Sequence, residues 1–344
     1  MTLPPLDPSE VGRHLLALPA GVSHDEVLGY ARSRFPRADV GDSRTARSSG
    51  SAVAVLQLSR LSTLVGPYGV DRAATNELGL PPSTTTVYAV RTPTERGEPP
   101  WPDGGDRDGL GRAFPGGLPI RDELRILEWA IAVARRTGGA LRTAPGPDGR
   151  PGVLLTPESA AAVDLTVWSQ VWLDPEQAIA VMRQALPRAY LNMAGIPWQG
   201  PPPGVGERPI LGAEVLTTEQ RAAVHAVADA TDIAALSDPQ PLEGYGALAD
   251  LELDGMIALG VDGETDLPPV VAALPWAARG AVAYRVTWEP DDLHELESER
   301  PSPTHRVARG RAAPLVVAVA KAVHGAVGGE ITDMMGFVVD PAAL

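Results

Sequence analysis

The residues best equipped for chemistry form one basic run, Arg300, His305, Arg306, Arg309 and Arg311, directly after an acidic one, Glu289, Asp291, Asp292, Glu295, Glu297 and Glu299. At helical spacing His305 and Arg309 share a face, with Arg306 beside it. Near a helix start such a group can hold a phosphate or a carboxylate, because free backbone N–H groups and guanidinium forks both point at the anion. The plainer reading is local ion pairing with the preceding carboxylates, which at a surface stabilises little.

A second constellation is aromatic. Leu165 to Val171 alternates as a strand, which puts Trp168, Gln170 and Trp172 on one face and Leu165, Val167 and Val171 on the other. The aliphatic face suits packing beneath helices, so the tryptophans are left on the open face, to line a cleft or fill an interface. The aligned residues earlier in the chain, Ala17, Pro19 and Gly21, are small. Docking of large into small across a pseudo-twofold axis is therefore expected.

Other chemistries lack their residues. With no cysteine, disulfides, thiolate nucleophiles and cysteine metal sites are absent together. His24-Asp25-Glu26 and the group Asp291, Asp292, His294 and Glu295 carry metal-capable side chains without a metal-site spacing, so no metal is expected. No Gly-x-Ser-x-Gly elbow frames a serine. Gly109 to Phe114 begins like a dinucleotide fingerprint but lacks its third glycine and follows no strand. A phosphate loop needs a lysine after its last glycine, and the single lysine, Lys321, lies in an apolar helix. No catalytic residue and no cofactor are expected.

The charge balance, 43 acidic against 29 basic residues and a net charge of -14, repels phosphate backbones, so nucleic acid is not an expected partner. A basic protein or a cationic ligand stays open. The most apolar run, Pro314 to Val323, is interrupted by Lys321 and followed by His324, so no membrane span is expected. The first ten residues have no secretory pattern, and a cytoplasmic location follows as the expectation. Arginine in place of lysine, with abundant Ala, Gly and Pro, matches the usage of a GC-rich bacterium.

The elements that would position these residues recur. His14 to Leu18 reads as a strand, Ser23 and Glu26 as a capping box, Val27, Leu28, Tyr30, Ala31 and Phe35 as a helix face, and Pro36 as its stop. Leu165 to Leu191 repeats that register at a shift of 151, with Asp174 as cap and Pro187 as stop. Val87 to Thr92 corresponds to Ala283 to Trp288. The helices Asp122 to Thr137 and Thr304 to Val327 each end at paired glycines, Gly138-Gly139 and Gly328-Gly329. Short strands follow, Ala140 to Thr143 and Glu330 to Asp333, then Val153 to Pro157 and Phe337 to Pro341. Strand candidates at Ala38 to Val40 and Ala52 to Leu58 flank a polar turn, Asp42 to Gly50.

Together these predict an α+β fold, an internal duplication of two ferredoxin-like (split β-α-β) halves with antiparallel sheets, packed through sheets or edges as a fused pseudo-dimer. The first half spans 1–160, with a Gly/Pro-rich surface loop at 101–119. The second spans 161–344, with an inserted connector and helix at 196–240, the helix over Thr218 to Leu236. Such a widely shared fold names no function. The leading expectation is a non-catalytic binding or protein-interaction protein, monomeric, working at the junction between its halves through a protein or a small anionic ligand. The alternatives are an enzyme acting on a small acidic metabolite at that junction and an acidic protein neutralising a basic partner.

Overall fold

In the computed structural model residues 3–40, 53–102, 104–146, 149–192, 217–237 and 244–344 are described. The first half runs β1 (His14–Pro19), α1 (His24–Arg34), β2 (Asp39–Val40), β3 (Ala54–Gln57), β4 (Thr63–Gly69), α2 (Arg72–Glu77), β5 (Thr84–Arg91), α3 (Leu110–Ala113), α4 (Arg121–Thr137), β6 (Ala140–Arg142) and β7 (Leu154–Leu155). The second runs β8 (Leu165–Ser169), α5 (Pro175–Met182), β9 (Tyr190–Asn192), α6 (Thr218–Ser237), β10 (Gly244–Asp250), β11 (Met256–Glu264), α7 (Pro269–Ala272), β12 (Ala281–Glu289), α8 (Pro303–Val327), β13 (Glu330–Asp333) and β14 (Val338–Val339). The expected turn at Asp42 to Gly50 and the connector at Gly200 to Gly212 lie outside the described residues.

The fold is mixed α+β with two antiparallel sheets. One has the order β2-β3-β4-β5-β1-β6-β7 and the other β9-β10-β11-β12-β8-β13-β14, so each strand occupies the place of its counterpart seven strands earlier. Both faces of the central strand β1 are apolar. Leu16 and Leu18 pack beneath α1 and α4, and Leu15 and Ala17 pack on the opposite face with Val65, Tyr68, Leu78 and Leu80. In the second sheet Leu165 and Val167 lie beneath α5 and α8 as the alternation predicts.

The helix ends explain the paired glycines. Gly138 and Gly328 both take positive φ, +67° and +65°, and stop α4 and α8, Gly138 in the left-handed helical conformation and Gly328 in an extended one open mainly to glycine. The second glycine of each pair has a different duty. A Cβ at Gly139 would overlap the carbonyl oxygen of Ala17, and one at Gly329 that of Trp168. Each lets its chain close onto the central strand at the same register position, since Ala17 and Trp168 are the residues aligned by the shift of 151.

The tryptophan strand departs from expectation. Trp168 is on the open face, buried by Val271, Ala277, Ala281 and Ala283 of its own half, with Nε1 donating to Thr332 Oγ1 at 2.9 Å. Ala17 is likewise covered within its own half. Docking of tryptophan onto Ala17, Pro19 and Gly21 therefore does not occur. Trp172 leaves the Trp168 face altogether and packs edge-on against Tyr245 on the helix side, with ring centroids 5.6 Å apart. The cause is Ser169, whose hydroxyl donates to Val327 O at 2.9 Å and accepts from Val171 N–H at 3.1 Å. That ends the strand, and two-residue alternation lapses beyond it; Gln170 is exposed and unrelated to either ring.

The halves meet helix layer to sheet edge, rather than sheet to sheet. Phe337 and Met335, beside the edge strand β14, enter the core beneath α1 and α4, and α7 lies against α1. This covers the outer side of α4, where Trp129, Ala130, Ile131, Ala132, Val133 and Ala134 are all buried. The contact is one-way, because the core beneath α5 and α8 draws only on residues from Val163 onward. A twofold pair would bury the same surface of both halves.

Loop 101–119 is not a mere surface wrap. Asp106 N–H donates to Glu297 O at 2.9 Å, and the Arg112 guanidinium grips Glu299 at 2.6 Å, tying this loop to the second half. Helix α6 forms where expected, and its described side chains are exposed. Among the described residues α8 alone is long and apolar enough to cross a membrane by length and composition. In the fold Val316, Val319, Ala320 and Val323 are core residues of the second half.

Candidate functional site at the junction

Helix α8 starts under tight control. Ser302 Oγ accepts from His305 N–H at 3.2 Å, Pro303 occupies the first helical position, and the Glu295 carboxylate accepts from Ser302 N–H at 2.8 Å. With the start held, residues one turn apart project together. His305 is 6% exposed and Arg309 4%, so two of the five residues of the basic run point inward. Arg300 and Arg306 are exposed and take no part.

His305 rests on Trp288, with ring centroids 5.0 Å apart and the planes tilted by 58°. Trp288 is itself fixed, Nε1 donating to Asp254 O at 2.7 Å and its backbone N–H to Asp164 Oδ1 at 2.9 Å. Arg309 pairs with Glu158 at 2.6 Å, a carboxylate from the segment joining the halves and not one of the acidic residues preceding the helix. From the first half comes Arg107, whose Nη2 donates to Ala161 O at 2.6 Å and lies 3.5 Å from Met334 Sδ.

These side chains wall a cavity of about 70 Å³, lined among others by Arg107, Asp164, Trp288, Glu295, His305 and Arg309. No family model, curated protein or solved structure matches this chain. The site must therefore be understood from its own atoms.

Three of its groups have capacity left for a ligand. The His305 ring makes no hydrogen bond with any described residue. Burial lowers its pKa, helped by Arg309, while Glu295, Glu158 and Asp292 oppose the shift. Burial raises the Asp164 carboxyl, with the Trp288 N–H and Arg107 opposing. Burial lowers Arg107, with Arg135 adding repulsion and Asp108 and Asp164 opposing. Among the described residues neither Arg107 nor Asp164 has an opposite charge within ion-pair distance, although both face one cavity.

A second set of polar contacts closes the junction beside this cavity. Arg135, 3% exposed, pairs with Asp108, and Arg136 pairs with Asp333 at 3.2 Å. The Asp333 carboxylate accepts from Met335 N–H at 2.9 Å and Phe337 N–H at 3.0 Å, holding the turn that delivers Phe337. An apolar groove of about 570 Å³ runs nearby between α1, α7 and Phe337–Val338.

The metal-capable groups named from sequence have other roles. His24 Nδ1 lies 3.0 Å from Tyr88 Oη, His294 is an exposed turn residue, and no metal-binding cluster occurs among the described residues. A buried charged group that sequence reasoning missed lies in the first half. His14 Nδ1 accepts from Ala144 N–H at 3.0 Å, so the proton sits on Nε2, 3.5 Å from Glu123 Oε1; Glu123 also pairs with Arg96. It ties the first turn of α4 to β1. Arg107, Asp164 and Glu158 were also missed, because no spacing in the chain connects them; they converge only when the two halves are docked.

Proposed function

We propose that this is a non-catalytic binding protein built from two ferredoxin-like halves, 1–160 and 161–344, that holds a small ligand where the halves join. Duplication as the origin is supported by the matching strand orders and by Gly139 and Gly329 closing on aligned residues of the two central strands. The observation that carries the binding reading is the convergence of Arg107, Asp164, His305 and Arg309 on one cavity, where among the described residues Arg107 and Asp164 have no ionic partner and the His305 ring no hydrogen bond. A ligand that pairs with these charges binds the folded state alone and so stabilises it.

An enzyme of a small acidic metabolite is the second reading, favoured by one observation: Asp164, raised, and His305, lowered, face the same cavity and could exchange a proton through a substrate. Native mass spectrometry of protein purified from its own host separates these. A binding protein carries a small adduct that is recovered chemically unchanged after incubation. Protein that emerges bare, or an adduct converted into a second species, contradicts the non-catalytic reading.

A further inference from the structure

The cavity at the junction is charge-balanced in an unusual way. Arg107 and Asp164 are half-buried, opposite in charge and open to the same space, yet neither has an ionic partner within reach. Direct pairing would be the cheapest way to relieve two desolvated charges. Their separation leaves room for an occupant with a negative end and a positive end. A simple anion satisfies only Arg107 and His305, and it would sit against the carboxylates of Asp164 and Glu295. A simple cation meets the reverse difficulty with Arg107 and Arg309.

Building on the binding reading above, we propose that the cavity takes a small zwitterion, an α-amino acid no larger than glycine or alanine. Its carboxylate lies toward Arg107 and the entrance of α8, and its ammonium toward Asp164. His305, buried and without a ring partner, donates or accepts according to the tautomer the ligand selects. The volume of about 70 Å³ suits a molecule of this size. Trp288 and the buried Arg309 line the site beside His305 and bound the space left for a side chain. The pKa directions agree: burial disfavours the charged forms of both Arg107 and Asp164, and an ion of opposite sign beside each opposes that effect.

The test is isothermal titration of the full chain with glycine, alanine, leucine, acetate, methylamine and inorganic phosphate, each alone. Glycine or alanine is expected to bind saturably, with acetate, methylamine and phosphate at least tenfold weaker and leucine undetectable. Equal or tighter binding of acetate or phosphate overturns the zwitterion in favour of an anion site, and absence of saturable glycine and alanine binding overturns it outright. The ligand series uses the unaltered protein, so it decides the matter even if a variant fails to fold. Arg107→Gln and Asp164→Asn add direction: each is expected to weaken glycine at least tenfold, and Arg107→Gln alone to weaken acetate. If no zwitterion binds but native mass spectra still carry an adduct, the ligand class is wrong and the binding reading stands. If both come up empty, both fall.

Discussion

Phe337 packs its ring on Tyr30, with centroids 4.9 Å apart, so a residue seven from the end of the chain completes the core of the first half. The carbonyl of neighbouring Met335 accepts from Arg34 at 3.1 Å, and Asp333 fixes the turn between them. The two halves are thereby joined by a plug in a core, flanked by ion pairs.

Phe337→Ala leaves a cavity beneath α1 and α4 and is expected to cost about 3–5 kcal/mol. Because the plug also couples the halves, the urea unfolding curve of the variant is expected to split into two transitions. A loss below about 1 kcal/mol with a single transition contradicts the role assigned to Phe337.

The tryptophans are expected to separate. Trp168 is 6% exposed and bonded to Thr332, whereas Trp172 is half-buried beyond the strand end. Trp168→Ala should cost about 3–5 kcal/mol and Trp172→Ala roughly half that. Equal losses by thermal or urea unfolding would mean that the two rings share one environment after all.

Much of the architecture was readable from local rules. Ser23 and Glu26 form the capping box their spacing predicts, Pro36 follows the end of α1, and Gly138 and Gly328 stop their helices. These signals act over a few residues and need no knowledge of the rest of the chain. Trp172 was misplaced because the alternation rule assumes a strand continues, and the side chain that ends it, Ser169, bonds to Val327, 158 positions away. Half of the site was legible: the i, i+4 spacing put His305 and Arg309 on one face. Arg107 was not, because its loop reads as surface until the docked second half supplies Ala161 and Met334 as partners.

Paired glycines give a graded prediction. Gly328→Ala meets no atom and suffers only from its backbone, φ +65° and ψ -156°, a conformation essentially reserved for glycine, at about 1–3 kcal/mol. Gly329→Ala collides with the Trp168 carbonyl and is expected to cost at least about 1–2 kcal/mol more, since backbone must move. Gly139→Ala should behave like Gly329→Ala, by its collision with Ala17. A reversed order in denaturant midpoints would contradict the close-approach role of the second glycine.

His14 predicts a pH dependence. Burial, with Arg96 and Arg13, lowers its pKa from 6.5 to about 4, with Glu123 Oε1 3.5 Å away. The unfolded chain then binds a proton that the folded chain refuses, so the stability from neutral His14 is complete above pH 6.5 and declines as pH falls toward 4. The full span is about 3 kcal/mol. His14→Asn retains an acceptor for Ala144 N–H and is expected to flatten the slope of unfolding free energy across that window. An unchanged slope would show that His14 does not govern it.

The most direct test of the junction as a binding site is a crystal structure of the protein purified from its own host, at a resolution that shows ordered water. Continuous density for a molecule of several atoms, bridging Arg107 and Asp164 and touching His305, is the expected result. A cavity holding separate waters only, or closed by a direct Arg107–Asp164 ion pair, would contradict it.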